Sequence, residues 1–422
     1  MNNENIFSSK TVRRAIFSIG IVNFVAYIYS MSSTMITYIM ESYPDLPQTT
    51  VNQILTLPGI VGLIASFLIG PIMMKVSKKF LLTLNAIFMI GYGAIFVLVG
   101  GNGPFWLFYV AAVLAGISMG TQLSICTVVI SEFTEPKKRP AFAAVCTASM
   151  NAGAALLNVV GGYIAQGNGG ANWPYAYIPP MVLSIICTIL WIVLMPDLDK
   201  MKKNVQTDVA SVEEAAAEVK AADGEKGGSL PVGVILLAVM YALFYIGVYS
   251  YLLNVSNYII VEHKLGTSAQ AGIANSIFTA MSIVIGISYA FWQKAFKKWL
   301  PIVGFGLLIV GLMLMNVVTT SIFVVYIAVV LMGWAFSLIN NYLVAYGTII
   351  APPKLAPIAA SLIVGGMNIG IFVAAYILAP MGNLLGGGIS GQMNAGIVFM
   401  VVNIIIGLYL FVYKAKKDNV NM

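Results

Sequence analysis

Residues 116–153 read GISMGTQLSICTVVISEFTEPKKRPAFAAVCTASMNAG, and residues 333–370 read GWAFSLINNYLVAYGTIIAPPKLAPIAASLIVGGMNIG. At a shift of 217, Gly116 meets Gly333, Pro136 meets Pro353, Lys137 meets Lys354 and Pro140 meets Pro357. Met150-Asn151-Ala152-Gly153 likewise falls on Met367-Asn368-Ile369-Gly370. Each stretch is a long apolar run, a short turn with proline and lysine, and a second apolar run. A helix needs roughly 20 apolar residues, at about 1.5 Å rise each, to cross hydrocarbon. Both stretches therefore read as hairpins of two membrane-spanning helices.

The same pattern continues outward in both directions. Apolar spans are expected at 15–37, 51–74, 80–100, 105–131, 141–166 and 173–195, and again at 231–259, 269–293, 300–318, 321–349, 358–384 and 392–413. The composition agrees: of 422 residues 59% are hydrophobic and 9% charged, with mean hydropathy +0.91. A soluble domain carries about 25% charge, so water is not the solvent for most of this surface. The basic segment MNNENIFSSKTVRR ahead of the first span, with many spans behind it, reads as the lead into an uncleaved helix.

A second repeat joins the remaining spans. At a shift of 220, Tyr38-Ile39-Met40-Glu41 approximates Tyr258-Ile259-Ile260-Val261-Glu262, and Lys78 falls on Lys298. The expected fold is all-α and polytopic, with twelve transmembrane helices in two pseudo-symmetric six-helix bundles, 1–195 and 231–422. Between them lies a charged, Ala- and Gly-rich interdomain loop, 196–230, read either as a tethering helix or as a disordered linker. With both termini inside, every Lys and Arg of the 22 except Lys264 falls on the cytoplasmic side, which is the positive-inside pattern. The net charge of +7 is thus explained by a membrane, with no nucleic-acid partner expected.

On these residues the chain resembles the major facilitator superfamily of secondary transporters, over essentially its whole length. The turn Gly70-Pro71-Ile72-Met73-Met74-Lys75-Val76-Ser77-Lys78-Lys79 resembles the family's signature loop, with Trp292-Gln293-Lys294-Ala295-Phe296-Lys297-Lys298 as its counterpart. Glu132-Phe133-Thr134-Glu135-Pro136-Lys137-Lys138-Arg139 resembles the family's turn between helices four and five. Met74 stands where the family has an acidic residue, Ser77 at its second glycine, and Ala112 near a common arginine. The resemblance implies alternating access between two bundles and a central cavity lined by helices one, four, seven and ten. It also implies gating by Lys75, Lys78, Arg139 and Lys298. Glu132, nearest the membrane among the acids, is the candidate for ion coupling.

No Asp, Glu, Lys, Arg or His stands well inside any span. Intramembrane charge is costly and usually marks ion or proton work, so a strongly charged substrate and a buried proton carrier are both disfavoured. Neutral polar residues remain. Asn23, Tyr27, Ser30 and Thr34 recur at i, i+4, i+7 and i+11, on one helical face. The seventh span has Tyr241, Tyr245 and Tyr249, then Asn254 and Asn257. The fourth has Gln122, and the tenth has Trp334, Asn340 and Asn341. The repeat-related Asn151 and Asn368 sit mid-span. The candidate substrate-binding set is Asn23, Tyr27, Ser30, Gln122, Asn151, Tyr245, Tyr249, Trp334, Asn341 and Asn368. An amide in hydrocarbon needs a partner, so each of these amides is either interhelical glue or cavity lining. Gly116-Ile117-Ser118-Met119-Gly120 reads as close helix packing, and His263 as a loop residue. Cys126, Cys146 and Cys187 lack metal-ligand spacing and read as small buried hydrophobes.

No nucleophile–base pair, metal cluster or phosphate-cradling loop can be assembled, so no enzyme, cofactor or metal is expected. The expected function is secondary transport of a small neutral, zwitterionic or partly aromatic solute. Efflux of amphipathic drugs or metabolites, and solute sensing without transport, are the alternatives. The expected partners are a small-molecule substrate, the lipid bilayer and, if transport is coupled, an ion; a monomer suffices. A bacterial plasma membrane fits the short termini.

Overall fold

The computed structural model describes residues 10–133, 139–195, 231–318, 320–350 and 356–414. Twelve helices among them are long and apolar enough to cross a membrane. We label them α1 (Arg14–Ser42), α2 (Gln48–Lys75), α3 (Lys78–Val99), α4 (Trp106–Ile130), α5 (Val145–Ala165) and α6 (Trp173–Leu194). The second half holds α7 (Val232–Glu262), α8 (Ser268–Ile287), α9 (Tyr289–Val317), α10 (Ile322–Gly347), α11 (Ser361–Leu384) and α12 (Gly388–Val412). The expected loop 196–230 lies outside the described residues. An even number of spans returns the chain to the side where it began. We call that side the terminal end and the other the distal end.

Large apolar side chains such as Ile64, Phe67, Leu68, Ile186, Ile189, Val193, Phe323, Ile327 and Ile405 are exposed on the outside of the bundle. An apolar exterior of this extent is stable only against lipid. Basic side chains finish helices at the terminal end. Lys79 donates to the carbonyls of Ile192 (3.0 Å) and Met195 (2.7 Å), and Arg14 to that of Val193 (2.9 Å). These are the last carbonyls of α6, which have no partner within their own helix.

Within each half, helices approach through glycine. A Cβ built at Gly153 of α5 would lie 1.7 Å from the carbonyl oxygen of Phe24 in α1. One at the repeat-related Gly370 of α11 would lie 2.4 Å from the carbonyl oxygen of Ala242 in α7. The shared Met-Asn-x-Gly motif thus presses backbone on backbone in both halves, as small-residue packing in membranes requires. Gly116 and Gly120 do the same between α4 and α2.

Three helices depart from the expected continuous rods. Helix α1 continues a regular segment, Lys10–Phe24, leaves helical hydrogen bonding at 25–27, and resumes as a 3₁₀ turn (Ile28–Met31) and an α-helix (Ser32–Ser42). Side-chain hydroxyls take up carbonyls at the break: Ser30 Oγ donates to Tyr27 O (2.8 Å) and Ser33 Oγ to Ser30 O (2.8 Å). Irregular backbone survives at membrane depth only when it is satisfied in this way. Helix α7 breaks after Leu252 and ends in a π turn, Tyr258–Glu262. Asn254 at that break donates to Ser250 O (3.0 Å) and to Gln392 Oε1 (2.9 Å). The third departure lies between the eighth and ninth spans. Helicity breaks at Ser288, inside the span expected at 269–293, and again at Lys297, where φ is 51°.

Candidate functional site

The two halves meet along α2 with α11 and α5 with α8, and where distal α1 meets α7 and α8. Hydrogen bonds between the halves gather at the distal end. Thr37 Oγ1 donates to Ser256 Oγ (3.0 Å) and lies 3.4 Å from Asn257 Oδ1, while Ser256 Oγ donates to Thr34 O (2.8 Å). Asn275 Nδ2 donates to Ser33 Oγ (2.8 Å) and Thr34 Oγ1 (3.1 Å), and Gln48 Nε2 to Asn254 Oδ1 (3.1 Å). On the α5–α8 seam, Ser268 Oγ donates to Gly162 O (2.7 Å) and Ser276 Oγ to Ala155 O (2.6 Å). All of these groups are neutral, and together they form a latch. Toward the terminal end, by contrast, the polar span residues Thr147, Asn341 and Ser361 are exposed, and we call that exposed polar end the cleft.

Between latch and cleft stand tyrosines from both halves. Tyr27, in the break of α1, and Tyr29 pack edge to face at 5.9 Å. Tyr27 lies within electrostatic reach of Tyr241, Tyr245 and Tyr249 of α7, and Tyr29 of Tyr249. Tyr241 and Tyr245 also meet edge to face at 5.2 Å, and both hydroxyls donate to Asn340 Oδ1 of α10, the second at 3.2 Å. Phe336 closes on Tyr245 at 5.7 Å. Tyr29 OH donates to the sulfur of Met119 (3.0 Å). The lining is thus aromatic rings, hydroxyls, one amide and a thioether.

Of the expected binding residues, Tyr27, Tyr245 and Tyr249 stand in this zone. Ser30 borders it, its hydroxyl engaged by the α1 break. Asn23 and Gln122 are elsewhere. Both are buried inside the first half, where Gln122 Nε2 donates to Asn23 Oδ1 (3.1 Å), Asn85 Nδ2 to Gln122 Oε1 (3.0 Å) and Thr121 Oγ1 to Asn85 Oδ1 (3.0 Å). Their polar groups are spent on joining α1, α3 and α4. Gln122→Ala is therefore expected to lower thermal stability by about 1–3 kcal/mol, the cost of orphaning buried partners. It should leave substrate KM within about twofold, which melting curves and uptake kinetics check together.

Asn151 is half-buried on α5. Asn368 is buried near the α2–α11 seam, where its backbone crowds Gly59. Its Nδ2 bonds Val364 O (3.1 Å) and its Oδ1 has no partner. Asn341 bonds Ser337 O of its own helix (2.9 Å). Trp334 packs against Trp292 at 4.7 Å with the ring planes inclined by 59°, its buried Nε1 unpaired. Of the expected gating residues, Lys75 and Lys298 are exposed and Lys78 half-buried at helix ends; the side chains of Arg139 and Glu132 lie outside the described residues. The sequence reading left the distal latch unassigned, above all Asn275 and Ser256. Its one available signal was the second repeat, which pairs Thr37 with Asn257.

Comparison with known proteins gives the same picture. The family model described as Major Facilitator Superfamily matches residues 19–375. The fold is similar to that of a peptide transporter, POT, crystallised with sulfate, at TM-score 0.75 and 12% identity, covering 100% of this chain and 99% of that one. A bacterial homolog of the human lysosomal transporter Spinster, inward-facing and occupied, aligns at TM-score 0.70 and 12% identity over 97% of both chains. The nucleoside transporter NupG aligns at 0.68 and 12%, over 94% of this chain and 98% of that one. No match was found among curated proteins. Twelve apolar helices among the described residues, in two related halves, and a family match over most of the length agree: the chain belongs to the major facilitator superfamily and is a multi-pass secondary transporter, not an enzyme.

Proposed function

We propose that the chain carries a small neutral, zwitterionic or partly aromatic organic solute between the tyrosines of its two halves. The supporting observation is the convergence of Tyr27 and Tyr29 with Tyr241, Tyr245 and Tyr249 in a zone without a charged residue among those described. Rings give apolar area at low entropic cost, while hydroxyls and the Asn340 amide orient polar groups of a ligand. A multiply charged ion would lose its hydration there with nothing to replace it. The placement of Lys and Arg supports a cytoplasmic position for both termini, with the cleft facing inward, and we assign the protein to a bacterial plasma membrane.

Uptake into proteoliposomes, screened over pooled amino acids, nucleosides, sugars and small carboxylates with and without an ion gradient, tests this reading. Saturable uptake of a neutral or zwitterionic solute is the expected result. Preference for a multiply charged anion would overturn it. Asn340→Ala frees the hydroxyls of Tyr241 and Tyr245, each bond being worth about 1 kcal/mol. It should raise KM roughly tenfold and, by orphaning two buried hydroxyls, also lower thermal stability by about 1–3 kcal/mol.

A further inference from the structure

We propose that the turn between α8 and the long segment of α9, Leu300–Val317, binds the headgroup of an anionic phospholipid whose acyl chain lies along α9. The turn reads Tyr289-Ala290-Phe291-Trp292-Gln293-Lys294-Ala295-Phe296-Lys297-Lys298-Trp299. It holds five aromatic residues and three lysines, and no acid. Such rings sit at headgroup depth, and lysines clustered beside a span attract anionic lipid.

The structure sorts these side chains into two groups. Trp292 and Phe296 pack against the protein: their rings stack at 6.0 Å, Trp292 meets Trp334 of α10, and its Nε1 donates to Ser288 Oγ (3.0 Å). Phe291 (66%) and Trp299 (45%) are exposed, as are Lys294, Lys297 and Lys298. The three ammonium groups have no hydrogen-bond or ion-pair partner among the described residues. Lys297 also holds a φ of 51°, which glycine adopts freely and lysine seldom. The repeat shows that the fold does not require this arrangement. At the shift of 220, Pro71, Ser77 and Lys79 stand where the second half has Phe291, Lys297 and Trp299. In the first half Ser77 has a φ of −56°, and Lys79 is spent on the last carbonyls of α6. The second half turns its cations outward instead.

The surface beyond the lysines identifies the occupant. Gly306, Val310, Met313 and Val317 follow Trp299 at i+7, i+11, i+14 and i+18, on one helical face. The last three are exposed, and nothing lies within 4 Å of a Cβ built at Gly306. An open apolar face thus runs from the cationic, aromatic turn into the span. A ligand complementary to both parts has an anionic head and a long apolar chain. Inorganic phosphate would engage the lysines alone and leave the apolar face unused.

The test uses the full-length protein in phosphatidylcholine proteoliposomes. Chain-brominated phosphatidylglycerol or chain-brominated phosphatidylcholine is added at the same low mole fraction. The tryptophan fluorescence missing from Trp299→Phe isolates the Trp299 signal. Brominated phosphatidylglycerol should quench it several-fold more strongly, and high salt should narrow the difference. One basic residue near an anionic surface strengthens binding roughly fivefold. Lys294→Gln, Lys297→Gln and Lys298→Gln together should therefore abolish the preference. All three side chains are exposed, so the triple variant should melt with the wild type in phosphatidylcholine. Adding phosphatidylglycerol should raise the melting temperature of the wild type alone. Lys75→Gln, in the first-half turn, should keep the preference. Equal quenching by the two lipids, a preference that survives the triple variant, or displacement of the lipid by millimolar inorganic phosphate would overturn the assignment.

Discussion

Gly153→Ala should be among the most disruptive single-methyl additions in this bundle. The new Cβ would stand 1.7 Å from the carbonyl oxygen of Phe24, less than half an ordinary contact distance. The carbonyl is backbone and the position of a Cβ is fixed by its own backbone, so no side-chain rotation relieves the clash. Helices α1 and α5 must separate, and α1 is already interrupted one residue beyond that carbonyl. Overpacking a core typically costs about 1–3 kcal/mol and occasionally more; a clash between two backbones belongs at or above the upper end. The expected outcome is a large fall in the yield of monodisperse protein and in its melting temperature in detergent. Gly370→Ala, with its clash at 2.4 Å, should follow the same course less severely. Gly306→Ala, where nothing lies within 4 Å, should be neutral or slightly stabilising through helix propensity. If Gly153→Ala melted like Gly306→Ala, the close approach of α1 and α5 would be wrong, and with it the meaning given to the repeat.

That repeat shows what the sequence carries and what it does not. Span count follows from hydropathy because hydrocarbon tolerates no other arrangement of backbone. The glycine of the Met-Asn-x-Gly motif was visible as a repeated residue; its contact with a carbonyl of α1 or α7 was not. Which way a side chain turns was not legible where helix rotation decides it. Asn23 and Tyr27 are four residues apart, and on an unbroken helix they share a face. The break at 25–27 separates them, so Asn23 turns to Gln122 and Cys126 while Tyr27 turns to α7. Nothing in the run IVNFVAYIYS announces a break, since it contains neither proline nor glycine. The latch was hidden for another reason. Asn275 has no counterpart in the first half, where Leu55 stands at the same shift, so the repeat could not single it out. Thr37 and Asn257 were within reach of sequence reasoning, because residues related by a two-fold axis and lying near it must approach each other.

The latch yields the most decisive functional experiment. Thr37→Cys with Ser256→Cys, in a background of Cys126→Ser and Cys146→Ser, places two sulfurs where two oxygens lie 3.0 Å apart. Oxidation should join them with little movement, since a disulfide needs Cβ atoms about 3.5–4.5 Å apart. Alternating access requires the distal end to part while the terminal end closes. Neutral hydrogen bonds net only about 0.5–1.5 kcal/mol each once water can replace them, so the native latch can open on the scale of a conformational equilibrium of a few kcal/mol. A covalent bond cannot. Uptake by the oxidised double variant should fall to background and return with dithiothreitol, while each single variant stays within a few-fold of its parent. Persistent uptake with the Thr37–Ser256 link verified by mass spectrometry would mean that the distal end stays shut throughout the cycle. The solute would then have to pass elsewhere, and the tyrosine zone between latch and cleft would be a dead end rather than a point on the path.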